Sequence, residues 1–496
     1  MLVTLTPMFD PTLQEVAKQA GDTAQALSHL TISTNLVWTL LCGFMVMFMQ
    51  AGFAMLETGL TRSKNVAHTM AINFLVYAIG VVAFWAIGFG LQMGGVGALG
   101  TFGGDESLSR EVTATVGGKE WGLFGASGFF LPLAQYTPAV AALFLFQAVF
   151  MLAGSIIPTG ALAERWKFGS FVAFTAVMAA FIYPIYANWV WGGGWLSALG
   201  RNYGLGHGHV DFAGSSVVHM TGGLTALVTC KLLGPRIGKF NADGTPNPIP
   251  GHNIPMAVLG TYILAFGWFG FNPGSTLAAT DTRFVLVAVN TMLAAAAGGL
   301  SATLFAKLKF GKPDPTWMCN GLLAGCVAIT GPCAFVSSAS SVFIGAVAGL
   351  VVIGAALFVE NTLKVDDPVG AVAVHCANGM WGILALGLFA NGTYGEGLNG
   401  VPGPVRGLFY GDSGQFFASL IGIGANVITV GTLAALAFTI IGKVIGNRVS
   451  PEVELAGLDV PEMGVDGYIG DPGISMPDEA PTSPHGYYSA QAAGGQ

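Results

Sequence analysis

Two stretches of this chain pair a carboxylate with an imidazole at one spacing: "DFAGSSVVH", Asp211 to His219, and "DPVGAVAVH", Asp367 to His375. A neutral imidazole offers one donor and one acceptor and titrates near neutrality, so it can pass a proton or hold a small polar molecule. A carboxylate at a helix start accepts bonds from the free N–H groups of the first turn, at the positive end of the helix dipole. For Asp367 that capping role is a full account. Asp211 adds a negative charge at the end where a cation would approach. Of the eight histidines, only His219 and His375 fall near the middle of an apolar segment. His207 and His209 read as residues of a solvated, glycine-rich outer loop rather than as a metal site, and His68 and His252 as residues of the opposite face.

The segments that carry these groups are membrane spans. Hydrophobic residues make up 53% of the 496 and charged residues 9%, and the mean hydropathy is +0.65, outside the range of soluble domains. Apolar stretches of roughly 20 residues, enough to cross a bilayer, fall near 34–58, 66–93, 138–161, 169–191, 211–233, 254–274, 284–306, 316–335, 341–361, 368–390 and 414–442. The expected fold is therefore an all-α polytopic membrane protein of about eleven transmembrane helices. Residues 1–33 form an extracellular N-terminal segment, 34–442 the membrane domain and 443–496 a cytoplasmic tail.

With the N-terminus outside and the C-terminus inside, 13 of the 19 Lys and Arg fall on the cytoplasmic side, the side that basic residues prefer. The first thirty residues lack the basic and compact apolar regions of a cleaved signal, so none is expected. The six cysteines lie in or beside spans with no metal-type Cys-x-x-Cys pair, and they read as reduced packing residues. Neither a metal nor a cofactor is expected, and the net charge of −7 gives no sign of a nucleic-acid partner.

The Asp-to-His spacing of eight recurs at the start of the fifth and tenth spans. Counting crossings, these two helices enter from opposite faces, as in an inverted repeat of five spans plus five with one extra helix. Eight helical residues rise about 12 Å, which carries each histidine toward the middle of a core about 30 Å thick. Two imidazoles at one depth, set there by a repeat, point to a pathway through the membrane. The sixth span supplies "AFGWFGFNPGST", with rings, Pro273 and the Ser275 hydroxyl at its outer end, and the fourth ends in "NWVWGGGW". A single interfacial Trp is ordinarily an anchor; a ring face also attracts a cation by roughly 0.5 to 2 kcal/mol.

These motifs, with "QAGFAMLETGLTRSKN" (Gln50 to Asn65), "GALAERWKF" (Gly160 to Phe168) and "GWFGFNPGS" (Gly267 to Ser275), resemble the ammonium transporter, methylammonium permease and Rhesus family. The resemblance runs from about residue 34 to 470 and is to the ammonium transporters proper. It implies that Trp191 and Ser275 form an outer ammonium site by cation–π contact and hydrogen bonding, with Asp211 as its nearby carboxylate. It implies that Phe150 and Phe271 are stacked rings closing the mouth, Phe150 also touching substrate, and that His219 and His375 line the pore and relay a proton. It further implies transport rather than enzymatic catalysis, methylammonium as an analogue, a homotrimer with one pore per subunit, and a multi-pass location in a plasma or bacterial inner membrane. A PII-type signalling protein at the inner face is a partner the resemblance admits.

Two places depart from the family pattern. In "ELAGLDVPEMGVDGYIGD" Met463 stands where histidine is usual, with Asp466 and Gly467 where glutamate and alanine are common. In "HCANGMWG" Asn378 falls near the pore. The stretch from Met476 onward is rich in Pro, Ser, Gly and Ala and is expected to be disordered. Two other readings stand beside transport. One is an ammonium sensor using the same site. The other treats the paired histidines as haem ligands, which a visible absorption spectrum would reveal.

Overall fold

The computed structural model describes residues 11–468. Its framework is eleven helices: α1 Pro11–Leu60, α2 Ser63–Met93, α3 Pro138–Leu162, α4 Phe168–Trp191, α5 Ser215–Leu233, α6 Ile254–Thr276, α7 Arg283–Phe310, α8 Pro315–Thr330, α9 Ser338–Asn361, α10 Val372–Phe389 and α11 Ser413–Ile445. Ten are long and apolar enough to cross a membrane. The other, α8, has 16 residues, a rise of about 24 Å; it ends at Gly331 and the chain turns through Pro332 to Phe335 before α9.

Two features differ from the sequence expectation. The first helix begins at Pro11 rather than near residue 34, because "TLQEVAKQAGDTAQALSHL" contains no breaking proline and is rich in Ala, Leu and Gln, good helix formers. Its side chains from Leu13 to Leu30 are exposed. Between α2 and α3 lies a two-stranded antiparallel hairpin, β1 Glu111–Val116 and β2 Lys119–Gly125. Gly117 and Gly118 both take positive φ, 58° and 74°, the backbone that a two-residue hairpin turn demands. The hairpin braces the C-terminal end of α4: the Trp189 indole donates to the Leu123 carbonyl at 2.8 Å, Trp195 N donates to the Gly122 carbonyl at 3.0 Å, and the Trp121 and Trp195 rings stack at 4.9 Å.

At the opposite end the loops after α1, α3 and α5 and the one before α10 meet in a buried ion network. Arg236 bonds Glu164 at 2.8 Å and Asp366 at 2.9 Å, and Arg62 also pairs with Glu164. Burial opposes the charge on Glu164 and Asp366, but the facing guanidiniums outweigh it and hold both carboxyls below their ordinary range. The tail docks on this same end. Asp459 accepts a bond from His68 N at 2.9 Å, Asn65 Oδ1 from Leu458 N at 3.0 Å, and Glu462 from Phe168 N at 2.8 Å. Farther along, Gly467, which follows Asp466, donates its N–H to Asp459 Oδ2 at 3.2 Å. The stretch from Met476 lies outside the described residues.

Candidate functional site

The two histidines sit on matching irregular turns. Ser215–Met220 and Val372–Ala377 are both π-helical, each opening an otherwise α-helical span. The cause is the same at each place: an aspartate followed three residues later by a glycine of positive φ, Gly214 at 121° and Gly370 at 79°. Asp211 accepts from the backbone N–H of Gly214, Ser215, Ser216 and Val217 at 2.7 to 3.0 Å and from the Ser216 hydroxyl at 2.7 Å. Asp367 accepts from Gly370 N at 3.1 Å and Val372 N at 2.7 Å. A side chain from the same helix also bonds a carbonyl within each turn. Thr221 Oγ1 donates to Ser216 O at 3.1 Å and Asn378 Nδ2 to Ala373 O at 2.9 Å. Asn378 thus turns its amide nitrogen onto its own helix.

Close approach of α5 and α10 depends on a glycine four residues after each histidine. A Cβ on Gly223 would overlap the Cys376 backbone, and one on Gly379 would lie 2.5 Å from Ser215 O and 2.9 Å from Met220 N. With neither present, His219 and His375 stand with Nδ1 atoms 3.2 Å apart and ring centroids 5.3 Å apart. One Nδ1 must carry a proton and the other a lone pair for that distance to be a bond. His219 Nε2 is buried and meets no hydrogen-bond partner among the described residues.

A column of rings runs from the Trp191 end of the bundle to this pair. Trp191 meets Phe150 edge-on at 6.1 Å, Phe150 stacks on Phe271 at 4.1 Å, and Phe271 stacks on His219 at 5.5 Å. Beyond the pair, His375 faces Phe53 at 6.1 Å. Phe150 and Phe271 are almost fully buried. Above the column opens a cavity of about 1220 Å³ whose walls include Trp191, Asp211, Ser275, Asp281, Tyr394 and Glu396. The Trp191 indole donates to the Asp211 carbonyl at 2.7 Å, fixing the ring over the mouth. Ser275 Oγ donates its proton to Phe271 O at 2.9 Å, which leaves its lone pairs as acceptors.

The structure thus brings Trp191, Ser275 and Asp211 to one cavity and Phe150, Phe271, His219 and His375 to one column beneath it. Several neighbours were not singled out by sequence. Trp268 stacks on His219 at 5.3 Å and is held by Thr330 Oγ1 at 3.0 Å; the "GWFGF" run contains it, but only the helix phase shows which rings face the pore. Phe53 and Glu57 lie four residues apart on α1, Phe53 facing His375, with Glu57 buried and bonded by Asn73 at 2.8 Å and by Thr159. A lone glutamate in "AMLETGL" was a legible signal, because a charged residue inside a span is rare. His207 and His209 correct the solvated-loop expectation: they are 4% and 0% exposed. Glycines 204, 206 and 208, all at positive φ, fold that loop back onto α11, where Gln415 bonds His207 N and Gly208 O.

A model of the Ammonium Transporter Family matches residues 37–468. The ammonium transporter Amt2 of Archaeoglobus fulgidus is 45% identical over 467 residues, covering 93% of this chain and 92% of its own length. The ammonium transporter Amt1 of Haloferax mediterranei is 38% identical, covering 90% of this chain and 81% of its own. Among solved structures, one described as a sensor Amt protein superposes with a TM-score of 0.76 at 35% identity, covering 88% of this chain and 99% of that one. Candida albicans Mep2 superposes with a TM-score of 0.70 at 25% identity, covering 85% and 87%. With the family model spanning almost every described residue and relatives of this identity across nine-tenths of its length, the chain belongs to the ammonium transporter family.

Proposed function

We propose that this protein moves ammonium across the cell membrane by separating it into ammonia and a proton. Ammonium is drawn into the outer cavity by the acidic wall and held by the Trp191 ring face and the Ser275 lone pairs. Asp211 acts there through its charge, because its oxygens are already bonded to its own helix. The ion loses its proton before passing Phe150 and Phe271, and neutral ammonia travels along the imidazole pair. Potassium is close to ammonium in size but has no N–H to donate and no proton to lose. A bare cation at mid-membrane costs several kcal/mol or more, so such a column rejects it. His219 and His375 relay the released proton, giving one net charge per ammonium. The observation that carries this reading is the 3.2 Å imidazole contact at the end of a buried ring column.

The chain is a multi-pass protein of the cell membrane. In the proposed arrangement its N-terminus is outside, its basic end and tail are cytoplasmic, and three copies assemble with one pore through each. The inner face is then where a PII-type signalling protein would dock. A second reading, an ammonium sensor, is favoured by the likeness to the solved sensor Amt protein. The deciding experiment is ammonium-driven current on a solid-supported membrane carrying the purified protein, with methylammonium and potassium for comparison. Current with ammonium and methylammonium but not with potassium supports transport; ammonium binding with no current moves the assignment to a sensor.

A further inference from the structure

A buried histidine outside the ring column completes a hydrogen-bonded chain that ends on Asp211. His209 Nε2 lies 2.9 Å from Ser216 Oγ and 3.4 Å from the Tyr186 hydroxyl. Each hydroxyl has one proton to give, and both are spent elsewhere. Ser216 Oγ donates to Asp211 Oδ2 at 2.7 Å, a charge-assisted bond, and Tyr186 donates to Gly422 O at 3.1 Å. Both oxygens therefore face His209 Nε2 as acceptors, so Nε2 carries the hydrogen and the ring is the neutral Nε2–H tautomer. Nδ1 turns toward the Ala418 carbonyl on α11, beside Gly422, but not in hydrogen-bond alignment, so the aligned 2.9 Å contact at Nε2 decides the tautomer. Room for the ring exists only because residue 422 is glycine, where a Cβ would overlap the imidazole.

We propose that His209 is a positioning residue of the outer ammonium site. Its Nε2–H occupies the acceptor side of Ser216 Oγ, so the hydroxyl proton can point only at Asp211. Without that bond Ser216 Oγ keeps its donation to Asp211 but loses the contact that fixes where the hydroxyl stands, so the carboxylate it holds is less firmly placed. Asp211 then holds its place less firmly, and Trp191 with it, because the indole is tied to the Asp211 carbonyl. The link to substrate rests on the ammonium site proposed above; the tautomer and the chain do not.

The test uses the full chain in proteoliposomes, with ammonium-driven current measured for His209→Phe, His209→Gln, Ser216→Ala and the double variant His209→Phe/Ser216→Ala. The His209→Phe protein should need about tenfold more ammonium for half-maximal current, the loss expected of one bond into a charged network, with its saturating current within about twofold of the parent. Gln supplies an amide N–H in place of Nε2 and should restore most of the affinity. The double variant should be no worse than the poorer single one, because both break the same chain. An unchanged half-saturation for His209→Phe, additive losses, or no rescue by Gln overturns the proposal. Independently of transport, the ¹⁵N spectrum of the histidine-labelled protein should show His209 protonated at Nε2, and protonation at Nδ1 alone overturns the chain. Parent protein that carries no ammonium current refutes the transport reading instead, and the ring's tautomer then decides this inference.

Discussion

Replacing Gly379 by alanine tests whether the imidazole pair depends on backbone contact between α5 and α10. The added Cβ would stand 2.5 Å from Ser215 O and 2.9 Å from Met220 N. Ordinary carbon contacts begin near 3.4 Å, so the first contact is about 0.9 Å too short. Both obstructing atoms are backbone, in a π-turn tied down by Asp211, and neither can swing aside as a side chain would. The helices must part by most of that distance. The Nδ1 atoms, 3.2 Å apart in the parent, then separate to about 4 Å, beyond hydrogen-bond reach. Overpacking of this kind costs about 1–3 kcal/mol. The expected outcome is a lower unfolding temperature in detergent and a large loss of ammonium-driven current in proteoliposomes. Gly169→Ala, where a Cβ would meet nothing within 4 Å, should leave both unchanged. A Gly379→Ala protein with parental current and stability would refute the inference that these helices are held apart by no more than a glycine.

Further outcomes follow from the same geometry. Asp211→Asn should destabilise more than Asp367→Asn in thermal unfolding, because an amide nitrogen would face donors that now bond Asp211 Oδ2 three times and Asp367 Oδ2 once; equal losses would contradict this. Arg236→Met leaves Glu164 and Asp366 short of their shared cation, at a cost of about 3–5 kcal/mol. Both carboxyls are depressed in the fold. Their contribution is therefore present above the unfolded values near pH 4 and lost as the pH falls below them, so the deficit of Arg236→Met should shrink in acid. Burial pushes Glu111 up to about 7 against the bond from Asn188. A carboxyl raised in the fold stabilises docking at low pH and loses that contribution as the pH rises toward 7. Tryptic cleavage after Lys119 should thus rise with pH more steeply in the parent than in Glu111→Gln.

The span pattern was legible because a bilayer demands long apolar helices and little else, and every expected span from residue 66 onward coincides with a helix to within a few residues. The repeat was legible because one short spacing, aspartate to histidine, recurs on helices of opposite sense. The turn that presents each imidazole was not. An α-helical reading places the histidines at similar depth, but the π-turn is set by Gly214 and Gly370 taking positive φ under their aspartates, and sequence periodicity does not register it. Trp268 was visible as a residue and invisible as a neighbour of His219, since its facing depends on the phase of α6. The hairpin signal, Gly117-Gly118 between alternating residues, was present in "EVTATVGGKEWGLFG" and passed over beside the stronger membrane pattern. His209 looked solvated because its local sequence is glycine and histidine; what buries it is the missing side chain of Gly422, more than two hundred positions away.

In the proposed mechanism, paired imidazoles in a closed ring column conduct what ammonium releases and refuse potassium. Current evoked by ammonium and by potassium, recorded from the parent and from His219→Ala and His375→Ala proteoliposomes of matched protein content, tests it most directly. The parent should give ammonium current with potassium rejection, and each variant should lose the current or the rejection. Parental current and parental rejection in both variants would contradict it.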